Sequence, residues 1–459
     1  MSCSSAQLIE MTERETEFDT VIVGMGNTGI SCARYLQGKE INFVMTDNRE
    51  NPPLLNFIRE QFPDVQLYIG SFDSAVLCKA KQILISPGVS LREPAVAEAI
   101  NNGVKICGDI EIFCQQAMAP VVAVTGSNGK STVTTLVAEM AKAAGLKTGV
   151  GGNLGIPALD LLLEKDVEVF VLELSSFQLE TVSSLNAVAS VVLNVSEDHM
   201  DRYANLGEYA QAKAHIYDGN GTMIINLDDP LVSAMRRAGR KISGFTLMEP
   251  DQNSYGVRNY AGTQWLVKGA EKLMRVEELR MAGEHNITNA LAAIALAEVL
   301  QIPRESICNV LRKFPGLPHR CQWVADISGV SWFNDSKGTN VGASYAAIKG
   351  LAKNKNIILI AGGDGKGADF SRLADAAKKY LRAAVLIGQD APRIKQVLQD
   401  IVPVIDAIDM KAAVQASASL AEQGDIVLLS PACASLDMYS DYRARGDDFK
   451  NLVEKLVND

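Results

Sequence analysis

No two cysteines in this chain are spaced as C-x-x-C, and no set of cysteines and histidines has zinc-binding spacing. The eight cysteines, Cys3, Cys32, Cys78, Cys107, Cys114, Cys308, Cys321 and Cys433, are scattered, so they read as reduced, mostly buried thiols in a cytosolic protein. No apolar run approaches membrane-spanning length, and the opening MSCSSAQLIEMTERETEFD has neither the basic start nor the apolar core of a signal peptide. A basic excess is also missing: lysine and arginine total 44 against 54 acids, a formal charge of −10, which argues against broad binding to a nucleic-acid backbone. There is no fixed-period repeat and no low-complexity segment. The expectation is a soluble, cytoplasmic protein with no nucleic-acid partner and no membrane insertion, whose anionic ligands are met by local basic residues.

What is present is length and apolar content, 459 residues at 47% hydrophobic, enough for several cores and two to three domains. Short β-rich runs alternate with helical periods: DTVIVGMG, INFVMTD, QILISPG, VVAVTGS, VFVLELSSF, VASVVLNVS, MIINLD, NIILIAGGDG, AAVLIG and DIVLLSPA. Such alternation predicts an α/β protein of right-handed βαβ units with mainly parallel sheets. One seam lies in KICGDIEIFCQQAMAP. Another is FPGLPHR, whose prolines and glycine cannot prolong the preceding helix. The expected domains are 1–108, 109–316 and 317–459.

Two glycine-rich turns carry chemistry. VIVGMGNTG places Gly24, Gly26 and Gly29 after a strand and at the opening of a helix, and Asp47 ends the next strand. That context suits a nucleotide diphosphate at the helix N-terminus, with the acid on a ribose hydroxyl. The pattern does not distinguish NAD from UDP, and glycines needed only for tight helix–strand packing would look the same. The second turn, VVAVTGSNGKST, is a P-loop two residues short: Gly126, Ser127, Asn128 and Gly129 can surround phosphate, Lys130 can reach its outer oxygens, Ser131 can ligate Mg²⁺, and Thr132 continues the helix.

Together with the motifs downstream of it, this loop resembles the Mur ligase family, ATP-dependent enzymes that build the peptide stem of bacterial peptidoglycan. The resemblance rests on TGSNGKST, GGNLG, LELSSFQLE, NVSEDHMDRY, GEHNITNALAA, GLPHR, NDSKGTN, GGDGK and LLSPACASLD, in that order and over nearly the whole chain. It implies a Rossmann-like UDP-binding domain, a central P-loop ATPase-type domain and a Rossmann-like C-terminal domain. GMGNTG and SPGV point within the family to the branch joining UDP-N-acetylmuramoyl-L-alanine to D-glutamate, substrates expected here only through that resemblance, with a monomer expected. The implied reaction passes the γ-phosphoryl of ATP to the substrate carboxylate; the amine then attacks the acyl phosphate through a tetrahedral intermediate.

The resemblance also implies roles. Glu173 and His199 are metal ligands with Ser131. Lys213, carbamylated, partners the second of two Mg²⁺ ions; from the residue alone it is a solvated helix lysine, and His199 a structural histidine. Asn286, Asn289 and Asn128 neighbour adenine and ribose, although helix capping also suits Asn286. Arg320 and Asp335 reach ATP on domain closure. Asn27, Thr28, Asp47, Asn48, Arg49 and Gly88 are UDP candidates, with Asn153, Ser175 and His199 toward the muramoyl-alanine. Lys337, Thr339, Lys366, Ser435, Leu436 and Tyr442 form the expected D-glutamate pocket. Alternatives are addition of L-alanine, an NAD-dependent oxidoreductase built on Gly24, Gly26, Gly29 and Asp47, and a nucleotide switch hydrolysing ATP without an amino acid.

Overall fold

The computed structural model describes residues 18–281 and 283–456. Cys3 and the opening stretch as far as residue 17, on which the reading that there is no signal peptide rests, lie outside the described residues. Three sheets form. The first has five parallel strands in the order Leu67–Ile69, Phe43–Asp47, Phe18–Val23, Ala80–Ile85, Lys105–Cys107. Its central strand carries Val21, Ile22 and Val23 without solvent exposure, as a strand covered on both faces requires. Chain order reverses beside that strand, which opens a crevice at the carboxyl ends, next to Gly24 and Ser86. The helix Asn27–Gly38 packs tightly there because position 29 has no side chain: a Cβ would collide with the Gly24 carbonyl.

The second sheet has nine strands, in the order Glu271–Arg275, Thr263–Lys268, Tyr255–Tyr260, Ile242–Phe245, Thr222–Asn226, Ala189–Val192, Val121–Thr125, Val169–Glu173, Thr148–Gly152. The P-loop strand Val121–Thr125 runs parallel to both neighbours, with Val124 paired to Glu173 and Thr125 to Val192. Its following helix, Lys130–Ala143, shares a core with Glu284–Val299, a helix whose residues Ala290–Ala297 are all buried. The last three strands in the chain order of this sheet, Tyr255–Tyr260 onward, form antiparallel hairpins.

The third sheet orders Gln322–Ile327, Val330–Asn334, Ile426–Leu429, Ile357–Gly362, Leu381–Ile387, Val404–Asp406, antiparallel only at its first pair. Alternate residues of Ile357–Gly362 serve two cores: Ile357, Leu359 and Ala361 on one face, Ile358 and Ile360 on the other. Two compact units result. The first takes the chain to Met118 with Gly151–Lys165 and Phe177–Leu185; the second contains the remaining central segments and the third sheet. No helix among the described residues is long and apolar enough to cross a membrane.

Within the first unit, Glu111 fastens the helix Asp109–Gln116 to the segment around Ser183. Its carboxylate accepts from the Ser183 and Ser184 amides at 2.7 and 2.9 Å, from both serine hydroxyls, and from Gln115. Burial would raise the carboxyl, but the bonds from Ser184, Ser183 and Gln115 outweigh it and pull the pKa from 4.5 to about 2. A depressed carboxyl contributes stability that is complete above its free pKa and is lost as pH falls from about 4.5 to about 2. Glu111→Gln is therefore predicted to cost about 1–3 kcal/mol near neutrality and to flatten the acid limb of the melting-temperature profile. Thermal melts across that interval check it: equal acid slopes for both proteins would remove Glu111 from this role.

Candidate active site

The site begins with the buried strand Val121–Thr125, which delivers the chain to Gly126 at φ +152° and Gly129 at φ +84°. Between them the loop is held from the side. Asn128 donates its amide to the Asn194 side-chain oxygen at 2.9 Å, and Asn194 returns its own side-chain N–H to the Asn128 carbonyl at 3.1 Å. The Ser127 amide goes to the Asn194 carbonyl, and its hydroxyl both donates to the Ser196 carbonyl and accepts the Ser196 amide, each at 2.9 Å. These bonds alter one sequence-based expectation: the Ser127 and Asn128 amides are already committed to the protein. The donors left toward a phosphate are those of the first helical turn, ahead of the first intrahelical bond, from Val133 to the Gly129 carbonyl. Asn194 thus restrains the short loop from outside it.

Lys130 curls over its own loop, donating to the Gly126 and Ser127 carbonyls at 2.8 and 3.0 Å. Lys213, 1% exposed on the helix Leu206–Ala214, donates to the same Gly126 carbonyl at 3.1 Å and lies 4.2 Å from the Tyr209 ring centre. Burial, then the Lys130 charge, push its amine well below the ordinary lysine value, against Asp198 and Glu173. Glu173 ends its strand 3% exposed beside the loop strand. His199 adopts φ +58°, with its ring edge-on to Tyr209 at 6.5 Å. Burial outweighs Asp198 and lowers the imidazole to about 4, so it is neutral near pH 7.

The third sheet brings further groups to this loop within the second unit. Arg320 donates to the Ser131 hydroxyl at 2.6 Å. Asp335 follows the strand Val330–Asn334 and accepts from the Cys321 amide at 3.1 Å and the Ser430 hydroxyl at 2.6 Å; burial raises it to about 6. The Lys337 amine lies 4.2 Å from the Tyr442 ring centre and is lowered to about 8 by burial, then by Arg320 and Lys130. Lys366 pairs with Asp198 at 2.5 Å, and Asn340 bridges Asp198 to Asn128. A cavity of about 830 Å³ runs along the seam, lined by Asn128, Gly129, Asn286, Asn289, Arg320 and Asp335 among others. Of the remaining amino-acid candidates, Thr339 donates its amide to the Lys337 carbonyl, Ser435 is buried with its carbonyl accepting the Met438 and Tyr439 amides, and Leu436 is 72% exposed.

The first unit has its own cavity of about 560 Å³, in which Asn27, Thr28, Asp47, Asn48, Arg49, Gly88 and Asn153 meet. Asp47 is more occupied than the sequence suggests. One oxygen accepts the Arg49 amide and Nε at 3.0 and 2.8 Å; the other accepts the Met25 amide and Arg49 Nη2 at 2.8 and 2.7 Å. A carboxylate has about four acceptor directions, so Asp47 serves here to shape the glycine turn and to hold Arg49 toward the cavity. Ser175 and His199 belong to the second unit.

Sequence reasoning misses Asn194, Asp198 and Asn340. All three stand inside or directly at the edge of the motifs NVSEDHMDRY and NDSKGTN, where residue type and resemblance single out only His199, Asp335, Lys337 and Thr339. As for metals, no group of three or more His, Cys, Asp or Glu side chains among the described residues is arranged to hold one. Ser131 and Glu173 do offer oxygen donors of the kind that Mg²⁺ takes when phosphate and water complete its shell.

A P-loop on a central, mainly parallel sheet, in a chain with two further α/β sheets, defines a multidomain nucleotide-binding protein. Matches to known families narrow that class: "Mur ligase MurD-like, N-terminal domain" over residues 18–108, "Mur ligase middle domain" over 124–297 and "Mur ligase, glutamate ligase domain" over 319–433. The chain belongs to the Mur ligase family. It is 49% identical to the UDP-N-acetylmuramoylalanine–D-glutamate ligase of Nitrosococcus oceani over 98% of this chain and 100% of that one. It is 48% identical to the protein of the same name from Pseudomonas aeruginosa, over 95% and 98%. Among solved structures, UDP-N-acetylmuramate–alanine ligase from Thermotoga maritima has the same fold, with TM-score 0.60 at 17% identity over 96% of this chain and 100% of that one.

Gly129 generates a test of the loop. A Cβ there would meet the Asn289 side-chain oxygen, and φ +84° disfavours any L side chain. Gly129→Ala is predicted to weaken ATP binding and lower ATP-dependent turnover about a hundredfold, with the near-ultraviolet circular dichroism of the wild type retained. Unchanged turnover would show that the close approach of Asn289 to the loop is dispensable.

Proposed function

We propose that this chain is an ATP-dependent ligase that forms an amide between the carboxylate of UDP-N-acetylmuramoyl-L-alanine and the amino group of D-glutamate, a cytoplasmic step in peptidoglycan precursor synthesis. One observation carries the reading: P-loop residues and the cationic groups of the third sheet share one cavity, in a chain 48–50% identical to proteins named for this activity. The proposed division of labour is UDP binding in 1–108, ATP in 109–316 and the amino acid in 317–459.

A carboxylate is a poor acyl donor because oxide is a poor leaving group. Transfer of the γ-phosphoryl group gives an acyl phosphate and ADP; the amine then adds, and the tetrahedral intermediate expels phosphate. The protein's contribution is positioning and charge neutralisation. Lys130 and Arg320 neutralise phosphoryl oxygens, the amides of the Lys130–Thr132 turn orient them, and Asn128, Asn286, Asn289 and Asp335 take the adenosine. Asn27, Thr28, Asn48, Arg49 and Gly88 hold the UDP group, Asp47 fixes Arg49 and the glycine turn behind them, and Asn153, Ser175 and His199 are assigned to the muramoyl-alanine. Lys337, Thr339, Lys366, Ser435, Leu436 and Tyr442 receive D-glutamate, whose two carboxylates call for cations.

Two Mg²⁺ ions held by Ser131, Glu173, His199 and Lys213 would supply further charge neutralisation. Lys213 fits this only when modified, since an ammonium would repel a cation. Its buried amine, meeting a carbonyl and a ring face, has depressed basicity. As a neutral amine it can add CO₂ and release one proton, giving a carbamate with two oxygens and a negative charge.

Phosphate release from ATP in the presence of UDP-N-acetylmuramoyl-L-alanine is expected to depend on D-glutamate and not on L-glutamate or L-alanine. Dependence on L-alanine would move the chain to a neighbouring step, and release indifferent to any amino acid would sink the ligase reading. For Lys213, the Ala variant should lose activity that short carboxylic acids partly restore, while Lys213→Arg stays inactive. A fully active Lys213→Arg enzyme would show that no carbamate is needed.

A further inference from the structure

The ion pair between Asp198 and Lys366 joins the central sheet's loop to the third sheet's G-G-D-G-K turn, and neither side chain is more than 17% exposed. One Asp198 oxygen accepts Lys366 at 2.5 Å and the His199 amide at 3.0 Å; the other accepts Asn340 at 3.3 Å. Asn340 is fixed in turn, since its side-chain oxygen accepts the Ala343 amide at 2.8 Å at the start of the helix Val341–Leu351. Asp198 is thus held, apart from Lys366, by the His199 amide in its own loop and by Asn340 on the third-sheet side, while the Lys366 backbone is in the left-handed region at φ +50°. A buried pair of this kind contributes little net stability, because desolvation offsets most of the Coulomb attraction. Removing one partner is costly because it strands a charge. A ligand that brings both charges avoids that cost. A free α-amino acid is such a ligand, with an ammonium and a carboxylate on one carbon.

We propose that the incoming amino acid inserts into this ion pair, its ammonium taking the place of Lys366 on Asp198 and one of its carboxylates taking the place of Asp198 on Lys366. Asp198 then selects for an amino group and sets it on the central-sheet side of the cavity, while Lys366 reads the acid. This assignment rests on the D-glutamate reading above and adds to it a residue for the amine. It makes Asp198 a substrate-binding residue, in contrast to a strut that only holds Lys366 in place.

The test compares D-glutamate with glutarate, which has both carboxylates and no amine, by competitive binding and by KM. The UDP substrate and a non-hydrolysable ATP analogue are present in the binding experiments. Wild type should bind D-glutamate more tightly than glutarate. In Asp198→Asn, D-glutamate should weaken by roughly 30-fold or more, as for loss of one partner of a buried charge pair. Glutarate should bind as well as before or better, because Lys366 is released. Asp198→Glu, which keeps the charge, should keep the preference for the amine.

Equal affinity of wild type for the two ligands, or a parallel loss of both in Asp198→Asn, overturns the inference. The wild-type comparison decides even if the amide variant does not fold. D-glutamate-dependent turnover together with either of those results defeats the insertion alone; absence of D-glutamate dependence in wild type defeats the function reading and takes the insertion with it.

Discussion

A reciprocal pair of hydrogen bonds between Asn128 and Asn194 holds the centre of this molecule in place. A phosphate-binding loop must keep its amides pointed at one place without a ligand to organise them. Here that rigidity comes from the segment after the neighbouring parallel strand. The consequence runs outward through strand order: because Ala189–Val192 lies on one side of the loop strand and Val169–Glu173 on the other, Asn194, Asp198 and His199 arrive from one flank and Glu173 from the other. The helix bearing Asn289 closes over Gly129, which must be glycine for that approach.

Electrostatics give the site its character. Lys130, Lys213, Arg320, Lys337 and Lys366 gather near the loop in a chain whose overall formal charge is −10. Burial first, and then the neighbouring cations, lower the basicity of the Lys130, Lys213 and Lys337 amines. Lysines driven toward neutrality, and a guanidinium resting on the Ser131 hydroxyl, suit a site built for several phosphate and carboxylate groups. The first unit shows the same economy at Asp47, whose acceptor directions are filled by Met25 and Arg49.

Much of this architecture is legible in the chain. Apolar runs such as VVAVT and NIILIAG are strands because continuous β-branched residues suit a surface buried on both faces. The hairpins over Tyr255–Arg275 are not legible, since YGVRNYAGTQWLVKGAEKLMR is half polar and its alternation is weak. Within the site, glycine loops, the loop lysine and the acid ending a strand announce themselves by residue type and spacing. Asn194 and Asn340 do not, because an asparagine looks alike whether it ends a turn, caps a helix or braces a phosphate loop. Asp198 is overshadowed by the rarer histidine beside it.

The sequence by itself determined the α/β class, the order of strands along the chain, the positions of both glycine turns and the family, because each of these follows from local residue pattern or from motifs in linear order. Tertiary structure alone decided which amides of the short loop remain for a phosphate, that Asp47 is saturated, that Lys213 is buried against a ring and a carbonyl, and that Asp198 meets Lys366 across 168 residues of chain. Those outcomes depend on which hydrogen-bond partners and charges come within about 3 Å of one another, and that distance is set by sheet order and packing, which no local stretch of sequence encodes.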